Sequence, residues 1–369
     1  MLKLFEVEGF KNFSGKISLD FSDVRDYRFN TDCISNGLVS KCIIYGKNAT
    51  GKSNFGLALF DIVSHLSSKH ITPYLYDYYL NADMDKSYAE FHYVFTFDSG
   101  EIDYYYRKTD SQNLIYEKIS IDSELLYEYD YNSKTGNTDG LKKLAPTLNW
   151  IYKDADCILR YVINNTVLND DHPLRRLIEY VDSMLWFRYL DENRYIGYKT
   201  KSNDYYDFIY DEPTLREFEQ LLNESGVNER LTVKRDNDGK NRLYFDTKTP
   251  LPFFGTASSG TKVLYTFYYW YKTAADVSLL FMDEFDAFYH FELAEKIVEI
   301  VEKMTDTQVI LTSHNTNLLS NRILRPDCYF ILTKERLTAF SNATDRELRE
   351  GHNLEKLYMS GEFDEYGKK

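Results

Sequence analysis

The chain has 369 residues, 43% hydrophobic and 16% aromatic, which allows about two domains with a sizeable core. Its net charge of −14 and isoelectric point near 5.1 exclude a protein that holds nucleic acid by overall positive charge, so such a partner is supported only by short clusters such as Arg175-Arg176, Lys199 with Lys201, and Lys234-Arg235. Cys33, Cys42, Cys157 and Cys328 show no C-x-x-C spacing, no apolar run nears the roughly 18 residues of a membrane helix, and the first residues lack a signal-peptide core, so a soluble, cytoplasmic protein without zinc or disulfides is expected.

In chain order, residues 2–7 alternate weakly, Gly9 interrupts, and Ile17-Ser18-Leu19-Asp20-Phe21 alternates cleanly, which predicts an opening β-hairpin. Residues 23–37, rich in Asp, Asn and Ser, read as a loop. Cys42-Ile43-Ile44-Tyr45 is a short buried strand, and Asn54 to Val63 carries Phe55, Leu59, Ile62 and Val63 at helical spacing. Between them lies Gly46-Lys47-Asn48-Ala49-Thr50-Gly51-Lys52-Ser53, which fits G-x-x-x-x-G-K-[ST] at every fixed position. Glycines let such a backbone turn its N–H groups toward phosphate oxygens, and the helix N-terminus adds about half a positive charge. Lys52 would then reach the β- and γ-phosphates and Ser53 would hold Mg²⁺, with Gly46, Asn48, Gly51 and Asn54 completing the nucleotide contacts.

Farther on, Phe91, Tyr93, Phe95 and Phe97 alternate, Ser99-Gly100 turns, and Ile102, Tyr104 and Tyr106 alternate again, predicting an antiparallel meander from Tyr88 to Tyr129. The 33 tyrosines, clustered here and at 74–79 and 265–271, can stack bases or cover a partner, or simply fill strand and core positions. Asp130 to Gly140 reads as an exposed loop. Residues 141–235 look mainly helical: Leu174, Leu177, Ile178 and Val181 share a face, and Thr214-Leu215-Arg216-Glu217 forms a capping box before Phe218, with Gly226 as the stop. Leu231-Thr232-Val233 and Leu243-Tyr244-Phe245 flank Asn237-Asp238-Gly239 as a hairpin.

The second half carries the complement of a nucleotide site. Ser278 to Met282 is an apolar strand ending in Asp283-Glu284, so Asp283 can order the Mg²⁺ shell while Glu284 polarises a water. Upstream, Ser258-Ser259-Gly260 opens an apolar helix, either as an anion-binding N-terminus or as an ordinary cap. Downstream, Val309 to Ser313 is a strand that ends at His314.

At these residues the chain resembles the ABC-type ATPases of the SMC and RecF kind, and more narrowly the AAA-labelled, OLD-like ATPases of bacterial abortive-infection and anti-phage systems. The similarity runs from Phe10-Lys11-Asn12-Phe13 through the phosphate loop, Ser258-Ser259-Gly260, Asp283-Glu284-Phe285-Asp286 to His290, and Thr312-Ser313-His314. The later Leu324-Arg325-Pro326-Asp327 and Thr344 to Leu354 look like a tail shared by the narrower group, though Thr344 to Glu347 also reads as a capping box. Two departures stand out: Ser259 replaces the second glycine of the usual signature, and no convincing Q-loop glutamine is found, Gln112 lying in a tyrosine-rich strand region.

The resemblance implies an α/β fold, a P-loop NTPase head of ABC type whose mixed sheet has an antiparallel N-terminal part, plus a mainly helical insertion. Head segments would span residues 1–140 and 236–369 and the insertion or lid residues 141–235. It further implies ATP and Mg²⁺ held between two facing copies, with Ser258 and Gly260 acting in trans, His314 contacting the γ-phosphate, and Asp286 to His290 communicating between sites. The 55 residues after His314 are too few for the nuclease domain that OLD proteins carry there. The expected function is therefore an ATPase sensor or scaffold of a defence system with a separate toxin or nuclease as effector; the alternative is a DNA-binding repair ATPase of RecF type.

Overall fold

Alternation along residues 89–108 produces a sheet with two unlike faces. Phe91, Tyr93, Phe95, Ile102, Tyr104 and Tyr106 are buried, whereas Glu90, His92, Asp103 and Tyr105 point to the other side. The computed structural model, which describes residues 1–67, 73–148, 157–189, 194–198, 205–274, 276–287 and 291–363, extends this pattern into a seven-stranded antiparallel sheet, a five-stranded meander joined by the two strands of the N-terminal hairpin. Its order is Thr135–Asn137, Glu124–Asp130, Leu114–Ile121, Gly100–Lys108, Ala89–Phe97, Leu2–Glu8 and Ile17–Asp20. The expected opening hairpin is its far edge, with Val7 opposite Ile17.

A second seven-stranded sheet is central to the site. Every residue of Lys41–Tyr45 and of Gln308–Ser313 is buried, as expected for parallel strands covered on both faces. Five parallel strands run in the order Met184–Tyr189, Leu279–Met282, Gln308–Ser313, Lys41–Tyr45 and Tyr329–Leu332, and Arg194–Gly197 and Leu337–Ala339 pair antiparallel at the two edges. The α/β class with an antiparallel N-terminal part is therefore observed, the antiparallel part being a sheet of its own. The helix after the phosphate loop, Lys52–Leu59, lies on this sheet so closely that a Cβ on Gly56 would come within 2.9 Å of the Phe281 ring and 3.2 Å of Trp186.

Several local expectations change. Residues 141–235 do hold the helices Ile158–Asn165, Pro173–Asp182 and Glu212–Glu224, but Met184–Tyr189 and Arg194–Gly197 are strands of the central sheet. The run Met184-Leu185-Trp186-Phe187 is apolar throughout, and periodicity alone does not separate a buried strand from a buried helical turn. Within 130–140, Thr135–Asn137 adds an edge strand. Helix Glu212–Glu224 is capped by Asp211, whose carboxylate accepts the Thr214 N–H at 3.2 Å, so Thr214 is already inside the helix; Pro213 favours the first turn because its φ is preset. Gly226 follows at φ 83°, as a helix stop requires. No helix starts at Thr344. Its hydroxyl bonds Glu362 at 2.7 Å, and the last helix, Leu354–Met359, is capped by Asn353.

The tail motifs prove to be fasteners. Arg325 grips both oxygens of Asp327 at 2.8 Å and donates to the carbonyls of Arg25 and Tyr27, while Asp327 accepts the Arg25 N–H at 2.7 Å. Asn321 donates to the carbonyls of Arg349, Glu350 and His352, holding that turn closed. Among the described residues no helix is long and apolar enough to cross a membrane.

The buried tyrosines act as core residues with a polar tip. Tyr93 donates to the carbonyls of Ala58 and Leu59 at 3.0 and 3.2 Å, satisfying the C-terminal end of the phosphate-loop helix. Asp61, at the start of the next helix, Asp61–Leu66, accepts from Tyr79 at 2.9 Å, Tyr106 at 3.0 Å and Lys108 at 2.7 Å; both charges are fully buried. Removing one partner of such a pair leaves the other charge uncompensated. Lys108→Met is therefore expected to lower the unfolding free energy by about 3–5 kcal/mol in urea denaturation, with Asp61→Asn in the same chain recovering part of the loss; a single variant as stable as the wild type contradicts this account.

Candidate functional site

The site is assembled where three parallel strands end. Lys41–Tyr45 delivers the loop 46–51, Leu279–Met282 delivers Asp283 and Glu284, and Gln308–Ser313 delivers His314 from between them. The register sets Met282 opposite Leu311 and Ser313 opposite Tyr45, so the chemical groups leave the sheet at one level.

The loop is built by backbone geometry. Ala49 and Gly51 have φ of 64° and 103°, and a Cβ on Gly46 would sit 2.9 Å from the Leu332 carbonyl oxygen and 2.5 Å from the Thr50 hydroxyl. Left-handed residues in such a turn bring successive N–H groups to one side, the concavity that binds anions. Lys47 and Asn48 are exposed.

Lys52 is buried, with its ammonium 3.1 Å from the Gly46 carbonyl oxygen and 2.7 Å from His314 Nε2. Burial pulls its pKa below the usual lysine value, while Glu284, Asp283 and Asp286 work in the opposite direction. His314 Nε2 is also 3.3 Å from Glu284 Oε1. Burial holds the Asp283 carboxyl above the usual range, against the lowering pull of the Ser53 and Thr312 hydroxyls. Five of the residues singled out in the sequence, Lys52, Ser53, Asp283, Glu284 and His314, thus form one connected cluster.

The rest lie otherwise. Asn54 donates its amide to Asn12 Oδ1 at 2.7 Å. Ser258 caps the helix Ser259–Thr273, its hydroxyl 2.8 Å from that of Thr261, and Gly260 is in the first turn; among the described residues neither bonds to loop 46–53. Gln112 lies in the turn between two meander strands, its N–H bound to Asp110. The basic pairs are tied up: Arg175 and Arg176 with Glu179, Arg176 also with Asp171, and Lys234 with Asp246 at 4.0 Å. Lys199, Lys201 and residues 288–290 lie outside the described residues.

Structure adds residues that sequence reasoning gave no role. The Thr312 hydroxyl accepts the Glu284 N–H and donates to Asp283 Oδ1, both at 2.7 Å. Glu284 has φ 44°, a sparsely populated conformation for a side-chain-bearing residue, and the Thr312 bond holds it there. Ser313 donates to Asp286 Oδ2 at 2.6 Å, and Tyr45 donates to the Asn315 carbonyl at 3.2 Å. Burial again pushes the Asp286 carboxyl up, opposed by the Ser313 bond. The sequence signal was the whole triplet Thr312-Ser313-His314: each member engages a different acidic residue or cation.

Comparison with known proteins gives one family match. The family described as "AAA domain, putative AbiEii toxin, Type IV TA system" matches residues 42–320, more than half of the chain. No curated protein matches. Among solved structures the chain is similar to an SMC head bound to the C-winged helix domain of ScpA, at 13% identity and TM-score 0.45 over 92% of this chain and 97% of that one. It is also similar to the SMC head domain from Thermotoga maritima, at 12% identity and TM-score 0.42 over 92% of this chain and 98% of that one. A third is the Smc head domain with an extended coiled coil, bound to the C-terminal domain of ScpA derived from Pyrococcus furiosus, at 11% identity and TM-score 0.44 over the whole of both chains.

Thr312 is fully buried, so replacing it by the isosteric valine strands the Glu284 N–H and removes a donor from Asp283. Thr312→Val is expected to lower stability by about 1–3 kcal/mol in chemical denaturation, and Thr312→Ser to cost clearly less; equal stabilities for the valine variant and the wild type contradict the assigned bonds.

Proposed function

This chain belongs to that AAA-domain family, and on that premise we propose that it binds and hydrolyses ATP with Mg²⁺ as half of a composite, two-chain site. The observation that carries the reading is the convergence of Lys52, Ser53, Asp283, Glu284 and His314 at the ends of adjoining parallel strands. Residues of these types fit a triphosphate and its metal: a glycine-lined loop with left-handed residues for the phosphates, a buried lysine beside it, and a hydroxyl and a carboxyl, Ser53 and Asp283, for the metal.

In this reading the loop Gly46 to Gly51 cradles the phosphates and Lys52 neutralises the β–γ oxygens. Ser53 and Asp283 hold Mg²⁺, Glu284 polarises the attacking water, and His314 contacts the γ-phosphate. Positioning and charge stabilisation suffice, because phosphoryl transfer asks for little covalent help. Ser258 and Gly260, apart from the loop in their own chain, serve the loop of a facing second copy. ATP then joins two copies and hydrolysis releases them. The biological role proposed is a cytoplasmic sensor or scaffold of an abortive-infection system that controls a separate toxin or nuclease. The family description, which names a toxin and a toxin–antitoxin system, supports the direction.

Lys52→Ala is expected to abolish ATP binding in calorimetry. Glu284→Gln is expected to bind ATP, hydrolyse at least about a hundredfold more slowly, and elute as an ATP-dependent dimer on size exclusion. A monomeric Glu284→Gln protein at saturating ATP defeats the composite site, and undiminished hydrolysis by Lys52→Ala defeats the ATP assignment itself.

A further inference from the structure

The turn joining the first two strands is pinned far more tightly than a connector needs. Gly9 and Lys11 have φ of 77° and 49°, the Gly9 N–H bonds the Phe13 carbonyl, and the Phe13 N–H bonds that of Phe10, both at 2.9 Å. A second segment clamps it from outside: the Lys11 N–H bonds the Tyr79 carbonyl, the Asn81 N–H bonds that of Gly9, and the Asn81 amide bonds that of Lys11 at 2.6 Å. Phe10 and Phe13 are completely buried, so the turn is anchored on both sides of Asn12.

Asn12 uses that rigidity on the phosphate loop. Its Nδ2 donates to the Thr50 carbonyl at 2.9 Å and its Oδ1 accepts from Asn54 at 2.7 Å. The amide lies so near Gly51 that a Cβ there would be 2.4 Å from Nδ2. In a trans peptide the carbonyl and the following N–H point in opposite directions. Holding the Thr50 carbonyl therefore aims the Gly51 N–H away from Asn12. We propose that Asn12 is a positioning residue of the phosphate loop, fixing the Thr50–Gly51 peptide plane so that the Gly51 N–H is preset for an anion. The second bond, from Asn54 in the following helix, fixes the orientation of the Asn12 amide. The inference rests on the phosphate-binding reading of this loop, and it gives a role to the Phe10-Lys11-Asn12-Phe13 motif.

A preset loop spares the nucleotide the cost of ordering it, so the effect falls on affinity. Asn12→Ala is expected to raise the Kd for Mg·ATP about tenfold while kcat at saturation stays within about twofold and thermal stability is nearly unchanged. Asn54→Ala raises Kd by less, and the double variant is no worse than Asn12→Ala, because the two act in series. A Kd for Asn12→Ala equal to that of the wild type, or additive losses in the double variant, overturns the proposal. Amide hydrogen exchange over residues 46–55 of the nucleotide-free protein gives a readout independent of ATP. Asn12→Ala, and the isosteric Asn12→Asp should alanine disturb folding, is expected to exchange at least about fivefold faster there. Unchanged exchange overturns the proposal even with normal ATP binding, whereas faster exchange in a protein whose wild type binds no ATP upholds the brace and defeats the ATPase reading.

Discussion

One hydroxyl holds the acidic side of this site together. Thr312 receives the Glu284 N–H and gives its proton to Asp283, so two adjacent acids are held in different directions from a single point on the neighbouring strand. The arrangement depends on strand order. Because Gln308–Ser313 is inserted between the strand that ends in the acids and the strand that feeds the phosphate loop, its three last groups reach both sides. Thr312 faces the acids, Ser313 takes Asp286, and His314 lies between Glu284 and Lys52. A different order of the same strands would scatter these contacts.

Buried charge is tolerated here because it is satisfied. Asp61 and Lys108 have no exposure, yet two tyrosine hydroxyls and Ser64 share the pair, the Ser64 hydroxyl lying 2.6 Å from the ammonium. Glu117, also buried, has its carboxyl raised by burial while accepting from Tyr104, Tyr131 and the Ile158 N–H. The last of these places a carboxylate at the N-terminus of helix Ile158–Asn165, where the helix dipole favours it. These networks bolt the meander to helix Asp61–Leu66 and to helix Ile158–Asn165. That is how a chain with so many tyrosines can place part of them inside: the ring fills the core and the hydroxyl answers a polar atom there.

Local signals were legible wherever a local rule produces the structure. The phosphate loop needs its glycines within a few residues, the meander shows strict alternation, and the hairpin Leu231–Arg235 with Asn241–Phe245 is announced by its turn. Reading failed where two local solutions share one pattern. Met184 to Phe187 is equally apolar as strand or helix, and the capping box read at Thr214 gives way to a cap at Asp211, because Pro213 suits the first turn. The cysteines carry the same lesson. Scattered in sequence, Cys33 and Cys328 meet with their sulfurs 3.2 Å apart, both buried and both free.

The sequence by itself determined the parts: a loop able to bind phosphates, a strand tipped with Asp283-Glu284, and a strand tipped with Thr312-Ser313-His314, each encoded by residues that are neighbours in the chain. Only the tertiary structure decided how the parts meet. The interleaving of strands from residues 41, 279 and 308, the recruitment of Met184–Tyr189 to their sheet, and the reach of Asn12 across 38 positions to Thr50 are long-range pairings. No local period or motif encodes them, because they are selected by which faces can be buried against one another once the whole chain is folded.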